Sequence, residues 1–93
     1  MVIALLVRPA DTVAVALRDL AAGEQLTARD ADLGGVVAHE AVPFGHKVAV
    51  RPIASGTQVI KYGAHIGLAT RDIAPGEHVH THNLVSVRGA VQR

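Results

Sequence analysis

The segment that decides the fold is Arg71-Asp72-Ile73-Ala74-Pro75-Gly76-Glu77-His78-Val79. Pro75 and Gly76 are the preferred central pair of a type II turn, because proline fixes φ and glycine accepts a positive φ. An aliphatic residue stands on each side of this corner. The segment therefore predicts a strand, a tight turn and a second strand.

The same pattern occurs twice earlier in the chain. Its features are an arginine, an aliphatic residue, Ala-x-Gly and a second aliphatic residue, and the earlier copies are residues 18–26 and 51–59. A β-type run precedes each copy: Val13 to Leu17, Val48 to Val50 and Ile66 to Ala69. The unequal spacing of the copies argues against a solenoid and favours three related corners in one small β domain.

The other segments also predict short strands between glycine and proline corners, which is typical of an all-β architecture. Thr27 to Asp32 could form one helical turn capped by Thr27 or a polar loop, and Pro43-Phe44-Gly45 predicts a turn. We expect the last two strands to pair across the Pro75-Gly76 corner. The predicted strands are 2–7, 12–17, 36–37, 46–50, 58–62, 65–69 and 78–82.

Length and composition indicate one domain, residues 1–93, with a modest core. The chain is 49% hydrophobic with a net charge of +1, and it has no basic patch or aromatic platform for nucleic acid. The absence of cysteine excludes disulfides and thiolate metal sites. The apolar run 2–7 is too short for a signal peptide core, and no segment approaches a membrane-spanning length. We therefore expect a soluble, cytoplasmic protein.

Three histidines, His78, His80 and His82, stand at alternate positions near the C-terminus. On a strand their side chains would share one face, with Val79 and Thr81 on the other. Imidazoles on one face can converge on a single cation such as zinc, iron, copper or nickel. The same alternation is typical of a solvated face on an amphipathic strand. The spacing leaves both interpretations open.

Other polar residues are equally undecided on their own. A histidine such as His46 is found more often at the surface than in a metal site, and we expect His39 and His65 at the surface. Lys61 and Tyr62 place a cation and a phenol at a strand end, where they could hold a substrate carboxylate. An edge lysine can equally serve to block unwanted strand pairing. No nucleophile, phosphate-loop or dinucleotide motif is present.

A longer segment, residues 45–84, reads GHKVAVRPIASGTQVIKYGAHIGLATRDIAPGEHVHTHNL. Its motifs G-H-K, K-Y-G followed by I-G, and G-E-H-V-H-T-H-N-L resemble the N-terminal SAF-type domain of the altronate and galactarate dehydratase family. The sulfolactate sulfo-lyase small subunit is a related protein. The resemblance includes a first strand at 11–17 and covers about residues 9–85. The chain departs from the family at Thr12, where Asn is common, and carries His65 in the variable dipeptide between K-Y-G and I-G.

The resemblance implies a β-clip fold, in which short strands are folded over in long bent hairpins. It also implies a lyase that dehydrates sugar acids to 2-keto-3-deoxy products with a divalent metal, most often Fe²⁺, with Mn²⁺ or Zn²⁺ as alternatives. The motif positions give His46, His80 and His82 as catalytic residues, Lys47, Lys61, Tyr62 and Asn83 as substrate-binding residues, and His78, His80 and His82 as metal ligands.

The chemistry suits these residue types. Elimination from a 2-hydroxy acid removes a proton from carbon 2 beside a carboxylate, and the dianionic intermediate needs positive charge nearby. A β domain of 93 residues can hardly enclose that intermediate, so we expect a large dehydratase subunit or domain to complete the site. Exposed strand edges would also allow a homo-oligomer.

Three alternatives stay open at this point. The chain could be the small subunit of a sulfolactate sulfo-lyase, which releases sulfite where a dehydratase releases water. It could also be a non-catalytic SAF-type module for ligand binding or assembly. A free-standing enzyme is the least favoured alternative because of the small size of the domain.

Overall fold

The computed structural model describes residues 2–29 and 31–86, in which there are seven short strands and no helix. The all-β prediction is confirmed. The strands are β1 (Ala4–Leu5), β2 (Val13–Ala16), β3 (Lys47–Ala49), β4 (Gln58–Lys61), β5 (Ala64–Ala69), β6 (His78–Val79) and β7 (Leu84–Ser86).

The strands form two antiparallel sheets, ordered β1-β2-β3-β6 and β4-β5-β7. The predicted pairing of the last two strands is wrong, because β5 pairs with β4 and β7 while β6 pairs with β3. Two backbone bonds explain the difference. The Gly76 N–H donates to the Ala49 carbonyl at 2.7 Å, and the Ala49 N–H donates to the Glu77 carbonyl at 2.9 Å. The corner therefore places β6 beside β3.

Several predicted strands are shorter than expected. The strand predicted over 2–7 is only Ala4–Leu5, and Val37 forms an isolated bridge with Gln25. Over 27–32 the described residues contain no helical turn, so the polar loop is the correct alternative; Asp30 lies outside the described residues. The strand β7 was not predicted. The described residues contain no helical segment with the length and hydrophobicity of a transmembrane span.

The Ala-x-Gly corners share one geometry, as the repeat predicts. In each, the last residue donates its N–H to the carbonyl of the first, at 3.2 Å over 21–24 and at 3.1 Å over 54–57 and 74–77. A fourth corner, 43–46, closes in the same way at 3.0 Å. The third residue is always glycine with positive φ: Gly23 at +92°, Gly45 at +83°, Gly56 at +80° and Gly76 at +97°. These values confirm the type II turn at Pro75-Gly76.

The central strands of the four-stranded sheet, β2 and β3, are buried on both faces. Side chains alternate along a strand, and in β2 Ala14 packs into one apolar cluster while Val13 packs into a second. In β3 Val48 and Ala49 divide in the same way. The first cluster also contains Ile3, Ala4, Ala16, Leu20, Leu26, Ala38, Val42 and Val50. The second also contains Ile53, Val59, Ala69, Ile73 and Val79. Two cores therefore share one central sheet.

Candidate functional site

The register of β3 against β6 brings histidines from two parts of the chain together. Val48 lies opposite His78, and Lys47 lies opposite Val79. The next position in this antiparallel register places His46 opposite His80. The rings of His46 and His80 stack with centroids 4.4 Å apart and planes inclined by 8°. His46 therefore lies among the C-terminal histidines and is half-buried.

Four histidines, His46, His78, His80 and His82, form what we call the imidazole cluster. The Nδ1 of His46 and the Nε2 of His78 lie 2.9 Å apart, so one ring N–H donates to the other ring. The His78 ring centroid lies 5.5 Å from that of His80 and 5.4 Å from that of His82. The other two histidines in the described residues, His39 and His65, are exposed, as expected.

The prediction of a strand over 78–82 is wrong beyond Val79, and the cause is Asn83. This residue is fully buried. Its Oδ1 accepts the His80 N–H at 2.9 Å, and its Nδ2 donates to the His78 carbonyl at 2.9 Å. Its own N–H donates to the His80 carbonyl at 3.1 Å. The side chain thus folds residues 80–83 into a turn, and this use of its amide favours a positioning role over the predicted substrate contact.

The surroundings of His78 and His80 favour the neutral imidazole. Burial lowers the pKa of His78, as do the charges of His46 and His82, while Glu40 opposes the shift. Partial burial also lowers the pKa of His80, together with the charges of His46 and Lys47. A neutral ring can accept a proton or ligate a metal. His78 and His80 are therefore in the useful protonation state at neutral pH.

Two lysines lie near each other, Lys47 and Lys61, and Lys47 directly follows His46 of the imidazole cluster. Burial lowers the pKa of Lys47, and the charge of Lys61 lowers it further. The Lys61 Nζ lies 5.0 Å from the centroid of the Tyr62 ring. Within residues 2–29 and 31–86, neither lysine forms an ion pair with a carboxylate. Such uncompensated positive charge suits an anionic ligand such as a carboxylate.

Asp11 is a buried carboxylate that contacts the turn after Lys61, and sequence reasoning missed this contact. Its side chain is buried, and it accepts hydrogen bonds from the N–H groups of Tyr62 at 2.9 Å and Gly63 at 2.7 Å. These two residues form the turn that joins β4 to β5. The only signal for Asp11 in the sequence is an acidic residue at the start of an apolar strand, which does not reveal contacts with residues 51 and 52 positions away.

The donor set of the imidazole cluster suits a divalent cation by its chemistry, since imidazole ligates iron, zinc, copper and nickel in proteins. The described part of the chain contains no three His, Asp or Glu side chains arranged to hold a metal ion. His46 and His78 share a hydrogen bond, and the rings are stacked or tilted against one another. The predicted ligands are therefore neighbours, and a cation would require the rings to turn.

Comparisons with known proteins place this chain near a family model and several enzymes. Residues 2–87 match the family model described as the altronate/galactarate dehydratase SAF domain. The chain is 51% identical to altronate dehydratase of Escherichia coli K12 and 40% identical to that of Bacillus subtilis 168, in each case over 73 residues. These matches cover 78% of this chain and 14% of each relative.

A third relative is of similar size. The chain is 39% identical over 77 residues to (2R)-sulfolactate sulfo-lyase subunit alpha of Chromohalobacter salexigens. That match covers 80% of this chain and 82% of the relative. The chain thus spans most of one relative but only a small part of the altronate dehydratases.

Proposed function

Because the chain belongs to the altronate/galactarate dehydratase SAF domain family, we propose that it is the small component of a lyase that dehydrates a sugar acid of the altronate or galactarate type. The observation that carries the proposal is the imidazole cluster together with Lys47 and Lys61, neither of which forms an ion pair with a carboxylate among the described residues. His82 and Tyr62 are exposed, so the site is open on one side. A larger dehydratase subunit or domain covers it.

Each group has a role in the elimination. Lys47 and Lys61 bind the substrate carboxylate, and the Tyr62 phenol binds a hydroxyl of the sugar acid. His46 accepts the proton that leaves carbon 2, or His80 or His82 does so where that ring does not hold the cation. The bond from carbon 3 to its hydroxyl oxygen breaks, and a protonated imidazole supplies the proton with which that oxygen leaves as water. The resulting enol becomes the 2-keto-3-deoxy acid.

A divalent cation, Fe²⁺ or alternatively Mn²⁺ or Zn²⁺, held by His78, His80 and His82 completes this proposal. It would supply Lewis-acid stabilisation of the negative charge beside carbon 2. The supporting observations are the proximity of the rings and the lowered pKa of His78 and His80, because metal binding requires the neutral ring.

The second candidate function is that of a sulfolactate sulfo-lyase small subunit. The observation that favours it is the 39% identity with a sulfo-lyase subunit alpha over 82% of that chain. The same groups would serve, since this reaction also removes a proton from carbon 2 beside a carboxylate. The leaving group would be sulfite in place of hydroxide. Turnover of altronate, galactarate and (2R)-sulfolactate by the chain assembled with a large subunit separates the two candidates.

The first test removes the histidines one at a time. We expect His78→Ala, His80→Ala and His82→Ala each to weaken Fe²⁺, Mn²⁺ or Zn²⁺ binding by about tenfold or more, measured by titration calorimetry. Partner-supported turnover should fall with it. Binding by the unchanged chain should weaken as the pH falls through the lowered pKa of His78 and His80, because protonation removes the ligand lone pair.

His65→Ala is the matched control, since His65 is exposed and lies on β5 outside the imidazole cluster. It should leave metal binding and turnover unchanged. Absence of metal uptake, both alone and with a large subunit, would contradict the metal assignment. Full turnover after loss of all three histidines would instead identify the chain as a non-catalytic module.

A further inference from the structure

The turn between β4 and β5 has an unusual backbone for its sequence. Lys61 pairs with Ala64, so Tyr62 and Gly63 are the two central residues of a tight hairpin. Tyr62 has φ of +55° and Gly63 has φ of +74°, which is the pattern of a type I′ turn. Such turns favour Asn, Asp or Gly, and a bulky residue in this region is an outlier that its surroundings must enforce. Among the described residues Tyr62 is the one non-glycine with positive φ.

The group that enforces this conformation is the Asp11 carboxylate. Its Oδ2 accepts the Tyr62 N–H at 2.9 Å, and its Oδ1 accepts the Gly63 N–H at 2.7 Å. The Arg8 N–H also donates to Oδ2, at 3.2 Å. Asp11 is only 1% exposed, so these backbone donors replace the water that would otherwise solvate the carboxylate.

The loop that carries Asp11 is itself fixed against the hairpin. The Nε of Arg51 donates to the Asp11 carbonyl at 3.2 Å, and the Arg51 guanidinium also bonds to the Pro9 carbonyl. The Thr12 Oγ1 accepts the Ile60 N–H at 2.9 Å. Arg8 packs so closely on Gly63 that a Cβ there would lie 2.6 Å from the Arg8 Cδ. The loop therefore holds the tip of the hairpin from two sides.

We propose that Asp11 is a positioning residue for the candidate site. Its buried carboxylate imposes the left-handed backbone at Tyr62 and so fixes the Lys61 ammonium and the Tyr62 phenol at the tip of the hairpin. Tyr62 is 45% exposed, and the Lys61 Nζ lies 5.0 Å from its ring, so both groups are presented to a ligand. What that ligand is rests on the proposed function, whereas the positioning itself does not.

The test is Asp11→Asn, which preserves the shape of the side chain but turns an N–H₂ group toward one or more of the three backbone donors. We expect the strong intraresidue NH–Hα nuclear Overhauser effect that marks positive φ to be lost at Tyr62. The amides of Tyr62 and Gly63 should exchange with solvent about tenfold faster or more. The control is Asp72→Asn, because the Asp72 carboxylate also accepts a backbone N–H, that of Ser55 at 2.8 Å, but at a different corner. It should leave the Tyr62 signals unchanged.

A rescue variant separates imposed conformation from general loss of structure. Asparagine accepts positive φ more readily than tyrosine, so in the double variant Asp11→Asn/Tyr62→Asn residue 62 should regain the strong intraresidue NH–Hα nuclear Overhauser effect. In the chain that keeps Asp11, Tyr62→Asn should raise the midpoint of thermal unfolding. If Asp11→Asn does not fold, this measurement tests the proposal in its place. A lower midpoint, or an Asp11→Asn variant with unaltered Tyr62 signals, would overturn the positioning role.

Turnover measured with a large subunit tests the positioning role of Asp11 separately from the proposed function. We expect Asp11→Asn to raise KM for the sugar acid more than it lowers kcat, because it displaces groups that bind the carboxylate. A loosened turn with unchanged KM would support the positioning of Tyr62 by Asp11. The same result would count against the proposed substrate contacts of Lys61 and Tyr62.

Discussion

Asn83 shows how one residue can override a strand pattern. The alternation of histidines and small residues over 78–82 is typical of a strand, yet the chain turns after Val79. The Asn83 amide captures a backbone donor and a backbone acceptor that a neighbouring strand would otherwise bind. The turn keeps His80 against His46 while directing the chain into β7. The buried amide thus replaces regular strand pairing with a turn, and this turn shapes the imidazole cluster.

This role predicts a large loss of stability for Asn83→Ala. The His80 N–H and the His78 carbonyl would be left without partners inside the protein, so we expect the free energy of unfolding to fall by about 2–4 kcal/mol in urea denaturation. Thr81→Ala is the control, since Thr81 is exposed in the same turn, and its effect should stay within about 0.5 kcal/mol. Similar values for the two variants would show that the Asn83 amide does not hold the turn.

At the scale of elements, the corners are the repeated device of this fold. Their first residue donates its N–H to a glutamate in two of them: Ala21 to Glu24 at 2.7 Å and Ala74 to Glu77 at 3.0 Å. At the first corner Arg18 also binds Glu24, with its Nη2 at 2.6 Å from Oε2. The hydrogen bonds from Arg18 and Ala21 lower the pKa of Glu24 to about 2. The corners are thus closed by both backbone and side-chain bonds.

The same glycine-to-alanine substitution should lower the free energy of unfolding by different amounts at two of these corners. Gly23 and Gly76 have nearly the same φ, +92° and +97°, but a Cβ on Gly23 meets nothing within 4 Å, whereas one on Gly76 would lie 2.0 Å from the Val37 carbonyl oxygen. We expect Gly23→Ala to cost about 1 kcal/mol from backbone strain alone. Gly76→Ala should cost about 3 kcal/mol or more, because the backbone at Val37 must also move. Thermal or urea unfolding checks both, and equal losses would contradict the close packing at Gly76.

The sequence predicted local features well and long-range contacts poorly. The Pro75-Gly76 turn and β2 to β5 could be found from it, because φ preferences and short apolar runs act within a few residues. The partner of β6 could not, since it depends on the bonds between Gly76 and Ala49. The contact of Asp11 with Tyr62 spans 51 positions. The histidine motif therefore predicted that His78, His80 and His82 lie close together, but not the geometry that joins them to His46.

At the scale of the whole molecule, β2 and β3 connect the two cores. Val13 and Ala14 are adjacent in sequence but belong to different clusters, as do Val48 and Ala49. Neither cluster can lose these strands and keep its packing. The two sheets should therefore unfold together, as is usual for a small single domain.

This coupling predicts that a destabilising substitution in one cluster lowers the unfolding midpoint of both sheets. Val48→Ala removes a fully buried side chain from the first cluster and should cost about 2 kcal/mol. Tyr62 belongs to the turn of the other sheet, so its fluorescence should report the same lowered midpoint as circular dichroism. Two separate midpoints would show that the cores unfold independently.

The two-faced burial of β2 and β3 also limits how this domain can be recombined with its relatives. A chimaera whose crossover falls between residues 13 and 49 would combine strands from different parents within both clusters at once. The corner at Ser55-Gly56 is different, since both residues are exposed and a Cβ on Gly56 would meet nothing within 4 Å. A crossover there keeps the whole first cluster from one parent and divides only the second, so segment exchange between family members should be tolerated better at Ser55-Gly56 than between residues 13 and 49.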